Sequence, residues 1–75
     1  MWHKEPQSNQ HYWMWNPTMK ERYGSDHPIL VYTLEKTGYV QSIYGLLAVT
    51  EQDVFRIAML SVDELNELPR TGDAA

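Results

Sequence analysis

Cysteine is absent from all 75 residues. That excludes disulfides, thiolate metal sites and a thiol nucleophile. Basic residues are scarce as well, with Lys and Arg numbering 6 against 10 Asp and Glu, for a net charge of −4. Nucleic-acid binders draw much of their affinity from Lys and Arg set against phosphates, and no basic patch is visible here. The four glycines are scattered, so no phosphate-cradling loop can be drawn. No apolar run reaches the roughly 20 residues of a membrane helix. The opening Met-Trp-His-Lys-Glu-Pro-Gln-Ser has no apolar h-region of the signal-peptide kind. A cytoplasmic protein without a membrane span is the expectation.

Catalytic signatures are missing in the same way. No serine sits in a glycine elbow, and Ser42 and Ser61 fall in expected regular elements. His3, His11 and His27 have no mutual metal-ligand spacing. His3 stands third in the chain, where an amino-terminal amine and two amides could join it around Cu(II) or Ni(II); any chain with histidine third shares this. No metal, no cofactor and no enzymatic activity are expected.

What the chain has is aromatic residues and an uneven charge. Trp2, Trp13, Trp15, Phe55 and five tyrosines supply bulk for a small core or for an interface. Residues 1–38 balance four acids with four bases, whereas residues 39–75 set six acids against two. An acidic face favours basic partners, such as the nucleic-acid-binding surface of another protein. The plain alternative is that the acids serve solubility.

Strand signals come first along the chain. Residues 1–10 are polar and read as a flexible N-terminus. His11 to Trp15 has strand composition, and a period of two puts Trp13 and Trp15 on one face. Asn16-Pro17 ends it, and Thr18 to Tyr23 reads as one helical turn or a loop. Ile29 to Leu34 is the clearest strand, bounded by Pro28. Glu35-Lys36-Thr37-Gly38 suits a hairpin connection with Gly38 at positive φ. Residues 39–44 then read as the return strand. Apolar residues at Val40, Ile43 and Leu47 also fit a helix over 39–48, and that reading stays open.

Helix signals follow. Thr50 with Asp53 has N-cap spacing, and Glu51 and Asp53 sit where a helix dipole favours negative charge. Val54, Ile57, Ala58 and Leu60 then line one helical face. Ser61 and Glu64 repeat the cap pattern, with Val62, Leu65 and Leu68 spaced by three before Pro69. Residues 70–75 read as a disordered tail.

Ile43, Leu46, Leu47, Val49, Thr50, Val54, Arg56 and Ile57 resemble the helix-turn-helix pattern of DNA-binding regulators. The resemblance implies a DNA reader built on residues 40–60. Tyr44 replaces the small residue that the pattern wants for close packing, and Ala48 replaces the usual turn glycine. The groove-facing positions would be Glu51, Gln52, Asp53 and Phe55, where acids repel phosphates. A capped helix packed on a sheet explains the same spacing.

The expected fold is therefore α+β. An N-terminal aromatic strand and a 29–44 hairpin would form a small antiparallel sheet, covered by two short C-terminal helices, in one domain over residues 11–69. Expected core positions are Trp13, Ile29, Val31, Ile43, Leu46, Val54, Ile57, Ala58, Leu65 and Leu68. The expected function is that of a small acidic binding protein, of the kind found among phage and mobile-element inhibitors, which occludes a basic surface. Glu51, Asp53, Asp63, Glu64 and Glu67 would engage that surface, with Tyr12, Trp13 and Trp15 as apolar anchors. A homodimer is a further option.

Overall fold

The computed structural model describes residues 2–35 and 38–66. Its framework is a five-stranded antiparallel sheet in the order β4-β3-β2-β1-β5. The strands are β1 (His11–Trp15), β2 (Ile29–Thr33), β3 (Tyr39–Ser42), β4 (Gly45–Ala48) and β5 (Val54–Ile57). Among the described residues two short helices accompany them, α1 (Met19–Tyr23) between β1 and β2, and α2 (Val62–Asn66) after β5. The expected N-terminal strand and 29–44 hairpin are present. The expected pair of helices covering the sheet is not: residues 54–57 form β5 and pair with β1.

A sheet with no helical layer among the described residues buries one face by curling on itself. The connection between β4 and β5 requires the curl. These strands lie at opposite edges yet run in the same direction, because each is antiparallel to a strand of the same sense. The path from Ala48 to Val54 extends at most about 20 Å. Crossing a flat sheet of this width takes about 19 Å, and returning along a short strand adds about 13 Å at right angles. The link spans both only if the sheet bends.

Strand alternation sorts the inner from the outer face. Tyr12, Met14, Ile29, Val31, Val40 and Phe55 point inward with Met19, and each is at most 6% exposed. Leu47 and Val49, partly buried, pack against them. The β1–β2 and β1–β5 registers set Met14 opposite both Ile29 and Phe55 at the centre. Met19 of α1 is buried in this core, and Gly24 stops that single turn at φ 70, with its N–H on the Lys20 carbonyl at 2.8 Å. From the same turn Tyr23 stacks on Tyr44 of the β3–β4 loop, with ring centroids 5.6 Å apart.

The N-terminal arm ties distant strands together. His3 pairs with Phe55, exchanging backbone hydrogen bonds of 2.6 and 2.7 Å on the outer edge of β5. The Asn9 N–H reaches the Thr33 carbonyl at 2.8 Å, and the Thr33 N–H reaches that of Gln10 at 2.9 Å. The Thr33 hydroxyl, itself buried, donates to the Gln7 carbonyl at 2.6 Å and accepts from the Gln10 amide at 3.1 Å.

The expected core is partly confirmed and partly reversed. Trp13, Ile29, Val31 and Val54 are buried. Ile43, Leu46 and Ile57 are 86%, 59% and 55% exposed. Their helical spacing would have put them inside, whereas period two directs Leu47 inward and Leu46 outward. Ala58 is half-buried. The side chain of Leu65 and all of Leu68 lie outside the description. Strands at 45–48 and 54–57 also occupy the segment that the helix-turn-helix pattern needs as two helices.

Candidate functional site

The seven expected contact residues that are described do not form one surface. Tyr12 and Trp13 are buried in the sheet, and Trp15 is half-buried against the core. Tyr12 lies edge-on to Phe55, and its hydroxyl accepts from the Gln7 amide at 2.9 Å. Trp13 Nε1 is buried and has no hydrogen-bond partner among the described residues. These aromatics hold the fold together.

Asp53 is also interior, at 2% exposure. One carboxylate oxygen accepts from Asn16 Nδ2 at 2.8 Å and the other from the Thr50 amide at 2.8 Å. The Thr50–Asp53 pattern, expected to start a helix, instead closes a single turn. Within it the acid accepts from the threonine amide, as in a capping box, but the Thr50 hydroxyl accepts from the Gln52 amide at 3.3 Å rather than from that of Asp53. Glu51 stays exposed on that turn, where its backbone carbonyl accepts from the Lys4 ammonium at 2.8 Å.

Asp63 and Glu64 belong to α2, and Glu67 falls outside the described residues. Asp63 is exposed. The expected Ser61 cap is present: the Glu64 amide donates to Ser61 Oγ at 3.1 Å. The Glu64 carboxylate turns back and accepts from the Met59 and Leu60 amides at 2.8 and 2.9 Å. This clamp holds Leu60 at φ 57, a left-handed conformation that is uncommon for any residue but glycine and strained for a bulky one.

Exposed apolar groups surround the clamp. Ile57, Met59, Leu60 and Val62 are 55%, 77%, 45% and 73% exposed. The sequence sets Ile57 and Leu60 on one apolar helical face, with Ile57 in the expected core, and Val62 in the spacing of a second helix, so it does not mark them as surface residues. The signal that could have found them is Ser61–Glu64 itself, since a cap that starts a helix at Val62 forces the preceding residues out of the helix. The result is an exposed apolar segment whose backbone is bonded to Glu64, with the exposed Asp63 next to Val62 in the chain. Backbone strain held in place by its surroundings tends to occur where function uses it.

A second apolar area covers the β3–β4 hairpin, where Ile43 and Leu46 are the most exposed aliphatics. The outer face beside it holds a shallow hollow of about 240 Å³ between His11, Leu30, Tyr32 and Ile43. Two further clefts of about 330 and 310 Å³ flank the N-terminal arm. The smaller is lined by His3, Glu5, Gln7, Gln10 and Tyr12, of which Gln7, Gln10 and Tyr12 bond one another. Among the described residues, no three His, Asp or Glu side chains are placed to hold a metal ion. No helix among them is long and apolar enough to cross a membrane. In comparisons with known proteins, no protein family, no curated protein and no solved structure matches this chain.

Proposed function

We propose that this chain is a small non-enzymatic binding protein that covers a basic, partly apolar surface of another macromolecule. The contact surface is the knob at residues 57–64. The observation that carries the reading is the Glu64 clamp on the Met59 and Leu60 amides, which fixes exposed apolar side chains in a strained backbone.

Such a surface suits binding for a physical reason. Binding orders loop backbone as well as side chains, the latter at about 0.5–1.5 kcal/mol each, and a backbone already clamped spares the first of these costs. Met is adaptable in shape and common at binding surfaces. Asp63 at the edge of the apolar group, with Glu51 exposed elsewhere on the acidic half, gives complementarity to a cationic partner. Occlusion by contact needs no reacting group.

The test compares tagged wild-type protein with Met59→Ser/Val62→Ser and with Asp63→Lys. Each is incubated with native host lysate, chemically cross-linked and read by mass spectrometry. Support is a basic macromolecule cross-linked to residues 57–64, lost with the serine variant and weakened by the lysine variant. An identical cross-link pattern for all three proteins would refute the assignment of this surface.

A further inference from the structure

The two edges of the sheet are treated differently. On β5, the outward amide and carbonyl of Phe55 are taken up by His3. On β4, the description contains no pairing strand on the outer side. Sheet edges are usually blunted by a charged residue, a proline, a bulge or a covering segment, because a bare edge templates pairing with another chain. Gly45-Leu46-Leu47-Ala48 has no charge and no proline.

Which backbone groups the β4 edge presents follows from the register. Val49 donates to the Gly38 carbonyl at 2.9 Å, so that pair is a hydrogen-bonded one. Antiparallel pairs alternate. With Val40 opposite Leu47 and Gln41 opposite Leu46, Leu47 turns its N–H and C=O toward β3. Leu46 and Ala48 turn theirs outward.

We propose that this edge pairs with the same edge of a second copy, antiparallel, about a two-fold axis at Leu47. The arrangement is self-complementary, as a two-fold contact must be. Leu46 of one copy would exchange both backbone hydrogen bonds with Ala48 of its partner, and Ala48 with Leu46, giving four bonds across the axis. The side chains agree with this. Leu46, 59% exposed, meets the partner's Ala48 on the outer face, while the two half-buried Leu47 side chains meet on the inner face.

Charge selects the occupant. A chain of net charge −4 repels its own copy. Residues 39–50 form an uncharged stretch that contains all of β3 and β4. A second acidic copy meets least repulsion there, whereas a basic partner finds nothing there to pair with. The contact is independent of the knob at residues 57–64.

Sedimentation velocity on the full chain over a wide concentration range tests this, together with amide hydrogen exchange. The expected species at high concentration has twice the 8.8 kDa mass of one chain, with slow exchange at the Leu46 and Ala48 amides. Leu46→Lys places a charge at the contact. Ala48→Pro removes only an outward N–H, which an edge strand tolerates. Both variants should keep their circular dichroism and sediment as monomers, with at least a tenfold weaker association. Glu21→Ala, at an exposed position of α1, should associate like wild type. A wild-type monomer throughout, or a dimer that persists in both folded variants, would overturn the proposal. So would slow Leu46 and Ala48 exchange in a monomer, since the edge would then be occupied by the chain's own residues.

Discussion

Asn16 and Asp53, 37 residues apart, meet in the interior, with Asn16 Nδ2 donating to the Asp53 carboxylate at 2.8 Å. Both side chains are at most 2% exposed. Asn16 Oδ1 in turn accepts from the amide and hydroxyl of Thr18, each at 3.0 Å. One network thus joins the end of β1, the entry to α1 and the turn before β5, and it makes β5 an integral strand of the sheet.

Breaking that network is expected to destabilise the fold. A hydrogen bond to a charged group contributes about 1.5–3 kcal/mol, and an uncompensated buried partner adds to the cost. Asn16→Ala leaves a buried carboxylate short of a donor and should lower unfolding stability by about 2–3 kcal/mol on this scale. Asp53→Ala should cost at least as much, because it frees the Thr50 amide too. Urea unfolding followed by tryptophan fluorescence measures both, and a change below about 0.5 kcal/mol, the usual range for surface substitutions, would show that the network is dispensable.

Phe55 explains why the segment after Asp53 is a strand. It is fully buried and faces Met14 and Tyr12. Phe55→Ala should cost about 3–5 kcal/mol. A domain this small has little more than that to lose, so the expected result is loss of cooperative unfolding by circular dichroism. A variant that still melts in one sharp transition close to the wild-type temperature would contradict the central place given to this ring.

These two residues also show where sequence reading succeeds and where it stops. β1 and β2 were legible because period-two patterning and flanking breakers are local signals, and Gly38 was legible because its φ of 71 suits few other residues. The Ser61–Glu64 cap was local as well. By contrast, Thr50–Asp53 has the same spacing whether the acid starts a helix or closes a turn. Asn16 decides between them, and it is remote in sequence. Val54-Phe55-Arg56-Ile57 has two adjacent buried residues, so neither period is clean. The acids expected to act together were separated for the same reason: the charge pattern records that Asp53 is acidic, and only the tertiary fold places it inside.

The N-terminal arm is held by Thr33. Its hydroxyl bonds both Gln7 and Gln10, at 2.6 and 3.1 Å. Thr33→Val keeps the shape and removes these bonds, leaving the arm's polar groups without a partner. The expected loss is about 1–3 kcal/mol. Limited proteolysis should then cut residues 4–10 well before the sheet, while wild type resists. Equal cleavage rates in the two proteins would mean that the arm is secured elsewhere, for instance by His3.

Leu60 separates stability from binding. Its left-handed backbone at φ 57 costs a non-glycine residue about 1–2 kcal/mol, and glycine adopts the same backbone freely. Against that gain, glycine loses more entropy on folding, roughly 0.5–1 kcal/mol relative to alanine, and gives up the partly buried leucine side chain. Leu60→Gly should therefore leave thermal stability near the wild-type value or slightly above it. The knob would lose one anchor and its backbone rigidity, so cross-linking to the basic partner should fall. Glu64→Ala approaches the loop from the other side: it removes the acceptor for the Met59 and Leu60 amides and should weaken capture while lowering stability by about 1 kcal/mol, as for loss of a helix cap. The two variants move stability apart and binding together. If binding instead followed stability across the pair, the strained clamp would be a folding device, and the contact surface would have to be sought elsewhere on the molecule.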